Sequence, residues 1–214
     1  MSPLGSYKLT DKHTLKTLED IFRIFDDYEY SIIGGLAVSI YSYLNKDIYY
    51  ENRYTQDIDL VINEIYKENV KVEIYSKLRN AKIKEGKIFG HDGIKIEINN
   101  YPSISILFKD IDIPYNEIEL KIGKKTIKLK VAKLEYLLVD KIFTYLDRRE
   151  EKDLEDIREI VKIIKNKGYD KGLLEDVFNY YSSIHKKYED TARNLLNNFL
   201  SSNYGRSISE EYIR

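Results

Sequence analysis

Apolar residues at Leu15, Leu18, Phe22 and Phe25 recur at helical spacing, which predicts an amphipathic helix over residues 14–25 with Thr14 as its cap. Tyr30 to Ile33 is a short apolar run that stops at Gly34-Gly35, and Leu36 to Leu44 then reads as a helix. Strand, double glycine, helix is the first distinct unit. Asp57 to Ile62 (DIDLVI) reads as a buried strand with two acids at its start. Lys67 to Arg79 carries Val70, Ile74 and Leu78 on one helical face. A β-rich stretch follows, with Lys82–Phe89, Gly93–Asn99 and Ser103–Phe108 separated by GHDG and NNYP turns. Glu117–Ile122 and Thr126–Val131 flank Gly123-Lys124-Lys125 as a hairpin. From Val131 the pattern turns helical. Leu134, Leu137, Leu138, Lys141 and Ile142 lie on one helix. Leu154, Ile157, Val161 and Ile164 lie on a second that ends at Gly168, and Leu173–Tyr181 and Thr191–Leu200 predict two more. The expectation is an α+β chain, with a mixed β-sheet flanked by helices over residues 1–130 and a helical lobe over residues 131–214.

Composition narrows the chemistry. With 43% apolar residues in 214, the chain can build a core. Cysteine is absent, which excludes a disulfide framework, a Cys-ligated zinc site and thiol catalysis. His13, His91 and His185 are far apart in sequence, so a histidine metal site or a Ser-His-Asp triad is hard to build. No run of about 18 apolar residues exists to span a membrane, and MSPLGSYKLTDKH lacks an apolar signal core, so a cytoplasmic location is expected. Residues 1–130 carry 20 charges of each sign, and residues 131–214 carry 15 basic and 16 acidic, so any nucleic-acid site must be a local patch. Abundant Lys, Glu and Ile with one Met and no Trp fit a thermophilic source.

Three local features remain. The double glycine of Ile33-Gly34-Gly35-Leu36-Ala37 lets backbone approach a ligand, and the N–H groups of the following helix favour phosphate; the same turn also serves simply to pack a helix on a sheet. In Arg53-Tyr54-Thr55-Gln56-Asp57-Ile58-Asp59-Leu60, residues two apart on a strand share a face. Asp57 and Asp59 therefore point together, with Ile58 and Leu60 toward the core. Converging carboxylates suit a divalent cation such as Mg²⁺, whereas on a solvated face they need none. Glu97, in Ile94-Lys95-Ile96-Glu97-Ile98, becomes a third ligand if its strand lies beside the Asp57 strand; otherwise it is an exposed strand acid paired with a lysine. Asp110 and Asp112 are the alternatives. Tyr41, Tyr43, Tyr49, Tyr50 and Tyr54 cluster between the glycine turn and the acidic strand, where they stack on a base or pack a loop onto the sheet.

Taken together, the glycine turn, the DxD strand and a further strand acid resemble the nucleotidyltransferase superfamily that includes DNA polymerase beta. The segment Leu134-Glu135-Tyr136-Leu137-Leu138-Val139-Asp140-Lys141, followed by Arg148-Arg149-Glu150-Glu151-Lys152-Asp153-Leu154-Glu155-Asp156-Ile157, looks like the helix pair "LLxxK … RxxxKDxxDI" of AbiEii-type nucleotidyltransferases, toxin components of prokaryotic toxin–antitoxin and phage-defence systems. The resemblance covers residues 30–165. It implies that Gly34 and Gly35 cradle the triphosphate of an NTP, that Asp57, Asp59 and Glu97 ligate Mg²⁺ or Mn²⁺, and that Lys141 reaches the nucleotide from the helical lobe. Asp153 and Asp156 match the last motif, with Arg148 and Lys152 beside them; they position Lys141, bind the acceptor or act on its hydroxyl. Arg53 and Thr55 touch phosphates or orient the DxD strand. The implied reaction moves NMP from an NTP to an RNA such as tRNA, or to a protein, in a toxin with a cognate antitoxin. The alternatives are a degenerate nucleotide-binding module or antitoxin-complex component on the same fold, and a nucleotidyltransferase of an antibiotic. Gly-Gly stands here where many superfamily members have Gly-Ser.

Overall fold

A computed structural model of the chain describes residues 24–25, 28–45, 57–78, 81–88, 91–97, 103–122 and 125–201. Of the helix predicted over 14–25, only Ile24 and Phe25 fall among these, and both are helical and buried. The chain divides into two compact units, residues 1–137 and 138–214.

The first unit is organised by one seven-stranded mixed sheet. Its strands are β1 (Tyr30–Ile33), β2 (Asp57–Asn63), β3 (Lys82–Ile88), β4 (His91–Glu97), β5 (Ser103–Lys109), β6 (Tyr115–Ile122) and β7 (Lys125–Ala132). The spatial order is β3-β4-β5-β2-β1-β7-β6. All four residues of β1 are buried, as suits a central strand covered on both faces. It pairs antiparallel with β2 and parallel with β7. After β2 the chain forms helix α2 (Lys67–Lys77), then the β3–β4–β5 meander, whose last strand lies parallel beside β2. Helix α1 (Gly34–Leu44) follows β1 with no intervening loop. It starts at the glycines themselves rather than at Leu36. Tyr41 anchors it: its hydroxyl donates to Ala132 O (3.0 Å) and accepts from Asn116 Nδ2 (2.9 Å), and burial pushes its pKa up to about 12. That hydroxyl serves packing, as does the ring, which is buried. Tyr49, Tyr50 and Tyr54 lie outside the described residues, as do Arg53 and Thr55.

Helix α3 (Leu134–Arg148) begins in the first unit and continues into the second, which holds α4 (Glu151–Lys167), α5 (Lys171–Ile184) and α6 (Glu189–Ser201). Helix α4 buries Leu154, Ile157, Ile160, Val161, Ile163 and Ile164, and it stops at Gly168, whose φ of 83° suits a residue without a Cβ. Asp170 caps α5 by accepting from Leu173 N at 3.1 Å. Phe143 packs on Phe178, Tyr181 and His185 at 5.5–5.8 Å between ring centroids, and the Arg193 guanidinium covers Phe178 at 3.6 Å. Among the described residues no helix is long and apolar enough to cross a membrane.

Candidate active site

Strand alternation sorts the residues of β2. Ile58, Leu60 and Ile62 are buried on one side, while Asp57 is exposed and Asp59 half-buried on the other. The antiparallel register sets Ile33 opposite Asp59, so the chain leaves β1 at the acidic pair and turns at once into α1. Gly34 makes that turn with φ 67°, a conformation costly for other residues. A side chain is excluded for a second reason. A Cβ at Gly34 would overlap Asp59 Oδ2 and stand 3.3 Å from both Asp59 Cβ and Cγ. No side chain caps α1, and no acid occupies its first turn. A helix N-terminus with partial positive charge thus lies directly against a carboxylate pair. On the other flank of β2, Ser103 of β5 pairs with Asp57 in register and its hydroxyl donates to Asp57 Oδ1, while Ser105 pairs with Asp59.

Glu97 stands apart from this pair. Its assignment as third ligand required its strand to lie beside β2, and β5 lies between them. Glu97 extends the row Asp57–Ser103, which places it two strands, or about 10 Å, from Asp57. It is engaged by Lys84 at 3.3 Å and Lys82 at 3.9 Å, and the Lys84 hydrogen bond holds its carboxyl below the usual range. Asp110 and Asp112 follow the far end of β5, where Asn63 donates to Asp112 Oδ1 at 2.9 Å; that end is six β2 residues, or about 20 Å, from Asp57. Sequence reading missed the reason: a meander returned β5, and not β4, to the acidic strand. Among the described residues no group of three acidic or histidine side chains is arranged to hold a metal. Asp57 and Asp59 do fit Mg²⁺ as a pair, since they offer hard oxygens on one accessible face, and this ion commonly uses one or two carboxylates plus substrate phosphates.

The second unit gathers the other motif residues. Arg149 and Glu150 join α3 to α4, and Arg149 takes a left-handed φ of 55°, which closes the turn with its N–H on Tyr145 O at 2.8 Å. This folds Lys141 and Arg148 of α3 against Asp153 and Asp156 of α4. Lys141 Nζ lies 3.1 Å from Asp153 Oδ1 and 2.7 Å from Asp156 Oδ2. Arg148 grips Asp153 with Nε at 2.6 Å and an outer nitrogen at 2.7 Å. Both aspartates are fully buried, and Lys141 is 4% exposed. Burial by itself would raise the pKa of Asp153, but the Arg148 hydrogen bond and the Lys141 charge outweigh it and hold the carboxyl below its usual range. Lys152 points elsewhere, to Glu150 at 2.6 Å, with about half of its side chain exposed.

The family model described as "Nucleotidyl transferase AbiEii toxin, Type IV TA system" matches residues 34–212. No curated protein matches. Among solved structures, the antibiotic-resistance factor ANT(2'')-Ia in solution aligns with TM-score 0.53 and 13% identity, over 84% of this chain and 97% of that one. A crystal structure of ANT(2'')-Ia with adenylyl-2''-tobramycin gives 0.52 and 13%, over 78% and 98%. An antigenic nucleotidyltransferase-like protein from Paracoccidioides brasiliensis gives 0.49 and 17%, over 86% and 93%. At 13% identity the two ANT(2'')-Ia likenesses speak for the fold alone. The family match spans most of the chain, including the glycine turn, the DxD strand and the Lys141–Asp156 helix pair, and on that ground the chain belongs to the AbiEii toxin family of type IV toxin–antitoxin systems and is a nucleotidyltransferase.

Proposed function

We propose that this enzyme transfers NMP from an NTP, with Mg²⁺ or Mn²⁺, to an RNA such as tRNA or to a protein, as the cytoplasmic toxin of a toxin–antitoxin pair. The observation that carries this reading is the contact of Gly34 with Asp59, which sets an uncapped helix N-terminus beside two carboxylates on one face. Gly34, Gly35 and the first turn of α1 receive the triphosphate, and Asp57 and Asp59 are the metal ligands. When bound, the metal offsets the negative charge of the phosphates. Ser103 holds Asp57 in place. The acceptor hydroxyl oxygen bonds to the α-phosphorus, the bond from that phosphorus to the bridging oxygen breaks, pyrophosphate leaves with the electron pair, and the hydroxyl proton passes to solvent. Within the second unit, Asp153 and Asp156 position Lys141, and Arg148 holds Asp153.

A nucleotide-binding module without transfer has one observation on its side, the two serines beside the acidic pair in place of a third acid. Label from each α-labelled NTP, followed into total RNA and protein with Mg²⁺ or Mn²⁺, separates the two. Transfer by the wild type that is absent from Asp57→Ala/Asp59→Ala supports the enzyme. NTP binding with no label in any acceptor supports the module.

A further inference from the structure

The glycine turn occupies the β1 side of the acidic pair, which leaves the β5–β4–β3 side for the other reactant. Pair register identifies what that surface carries. Asp59 aligns with Ser105, Lys95 and Lys84 across four strands; Asp57 pairs with Ser103 and Glu97 with Lys82, and Glu97 follows the last β4–β5 pair, Ile96 with Ile104, by one residue. Directly paired residues share a face, so Lys95, Lys84 and Lys82 stand on the side of the sheet that bears Asp57 and Asp59. Against these three cations the β3–β4 face sets one acid, Glu97, which Lys84 and Lys82 already engage. Lys95 makes no ion pair among the described residues and is half-buried. On the opposite face the charges are balanced by α2: Lys67 meets Asp92 at 2.8 Å, Lys71 meets Glu85 at 2.8 Å, and Tyr75 donates to Glu85 at 3.0 Å. Lys87 also meets Asp92 there at 2.6 Å, so the sheet lysine of that face is ion-paired, whereas Lys95, on the face of the acidic pair, has no such bridge among the described residues. Edge-strand lysines often guard a sheet against pairing with another chain, and β3 is an edge; β4, which carries Lys95, is internal.

We propose that the Lys95–Lys84–Lys82 face is the acceptor subsite and that it takes a phosphodiester strand, whose terminal hydroxyl lies at the acidic pair and whose preceding phosphates lie along the lysine row. This rests on the nucleotidyl-transfer reading and narrows its acceptor to nucleic acid. At strand spacing, Lys95 and Lys84 lie about 10 and 14 Å from Asp59, within reach of the first phosphates behind a terminal nucleotide. A polycationic acceptor would be repelled by the same surface.

The test uses the full chain and an α-labelled NTP with total RNA, total protein and a polycationic small molecule offered as acceptors in parallel, and compares Lys84→Glu/Lys95→Glu and the milder Lys84→Gln/Lys95→Gln. NTP binding is measured separately without acceptor, and folding by thermal unfolding. The expected result is label in RNA, a KM for RNA raised roughly 10-fold or more in the charge-reversed enzyme, and unchanged NTP affinity. The slope of log(kcat/KM) against log salt should also fall by about 1.4, or 0.7 per lost phosphate contact. RNA labelling with wild-type KM and salt slope in both variants overturns the subsite. Label found in protein or in a polycationic small molecule overturns it too, while leaving nucleotidyl transfer intact. A wild type that binds NTP yet labels nothing overturns both readings together.

Discussion

Two aspartate pairs, one in each unit, are made of the same residue type and end in opposite states. Asp57 and Asp59 sit on an accessible sheet face beside a helix N-terminus and two serines, where a cation and a substrate can reach them. Asp153 and Asp156 are fully buried, and Lys141 and Arg148 meet their charge at 2.6–3.1 Å. The difference follows from what each backbone offers. A strand presents i and i+2 on one side, and on that side of β2 Asp57 is exposed and Asp59 half-buried. Helix positions i and i+3 face inward together, and water is replaced by the partner helix. A buried carboxylate must be paired, whereas an exposed one is free to exchange partners.

Substitutions can break this contrast. The largest effect is expected from Asp57→Ala/Asp59→Ala, which should lower transfer by about 1,000-fold or more, as for loss of a main electrostatic contributor. Its folding stability should stay within about 1 kcal/mol of wild type, since neither side chain fills the core; label incorporation and urea unfolding read the two quantities. If stability collapses instead, the pair is structural and the contrast is wrong.

Lys141→Met should do the reverse first. Removing one partner of a buried ion cluster is expected to cost about 3–5 kcal/mol. An unfolding midpoint that is unchanged would show that the helix pair does not depend on Lys141.

Gly34→Ala combines a strained φ with overlap on Asp59, and a displacement of about 1 Å at a reacting centre costs about 100-fold in rate. The activity loss should exceed the stability loss, and Mn²⁺ affinity measured by calorimetry should fall with it.

Acid titration sharpens the second pair. The folded pKa of Asp153 lies below its unfolded value, so its contribution is complete above the unfolded pKa near ~3.9 and fades as pH falls through the folded one. Asp153→Asn should flatten the acid limb of the stability curve. The smallest effect is Arg149→Gly, which relieves a left-handed residue at the α3–α4 turn and should stabilise by about 1 kcal/mol in thermal unfolding.

Much of this was readable along the chain. Alternation placed Ile58 and Leu60 inward and Asp57 and Asp59 together, because a two-residue period needs no knowledge of neighbours. The helix start at Gly34-Gly35 was missed by two residues, since glycine carries no hydrophobic signal and its left-handed φ appears only when the turn is built. Glu97 looked like a third ligand because an acid among isoleucines is the same pattern whether its strand is next to β2 or one place further out. Register decided the matter, and register depends on the β3–β4–β5 meander.

What the sequence determined by itself was the inventory: carboxylates as the candidate catalytic groups in a chain without cysteine, a strand–glycine–helix unit, and a lysine on one helix followed by two aspartates three residues apart on the next. Those are local facts of residue type and period. The tertiary structure alone decided which residues became neighbours. It set serines beside the acidic pair, moved Glu97 among lysines, put Lys95 on the face of Asp59, and buried Asp153 and Asp156 under Lys141 and Arg148. Strand order and helix packing act over separations that no local pattern records, and burial then fixes whether a charge is held or available.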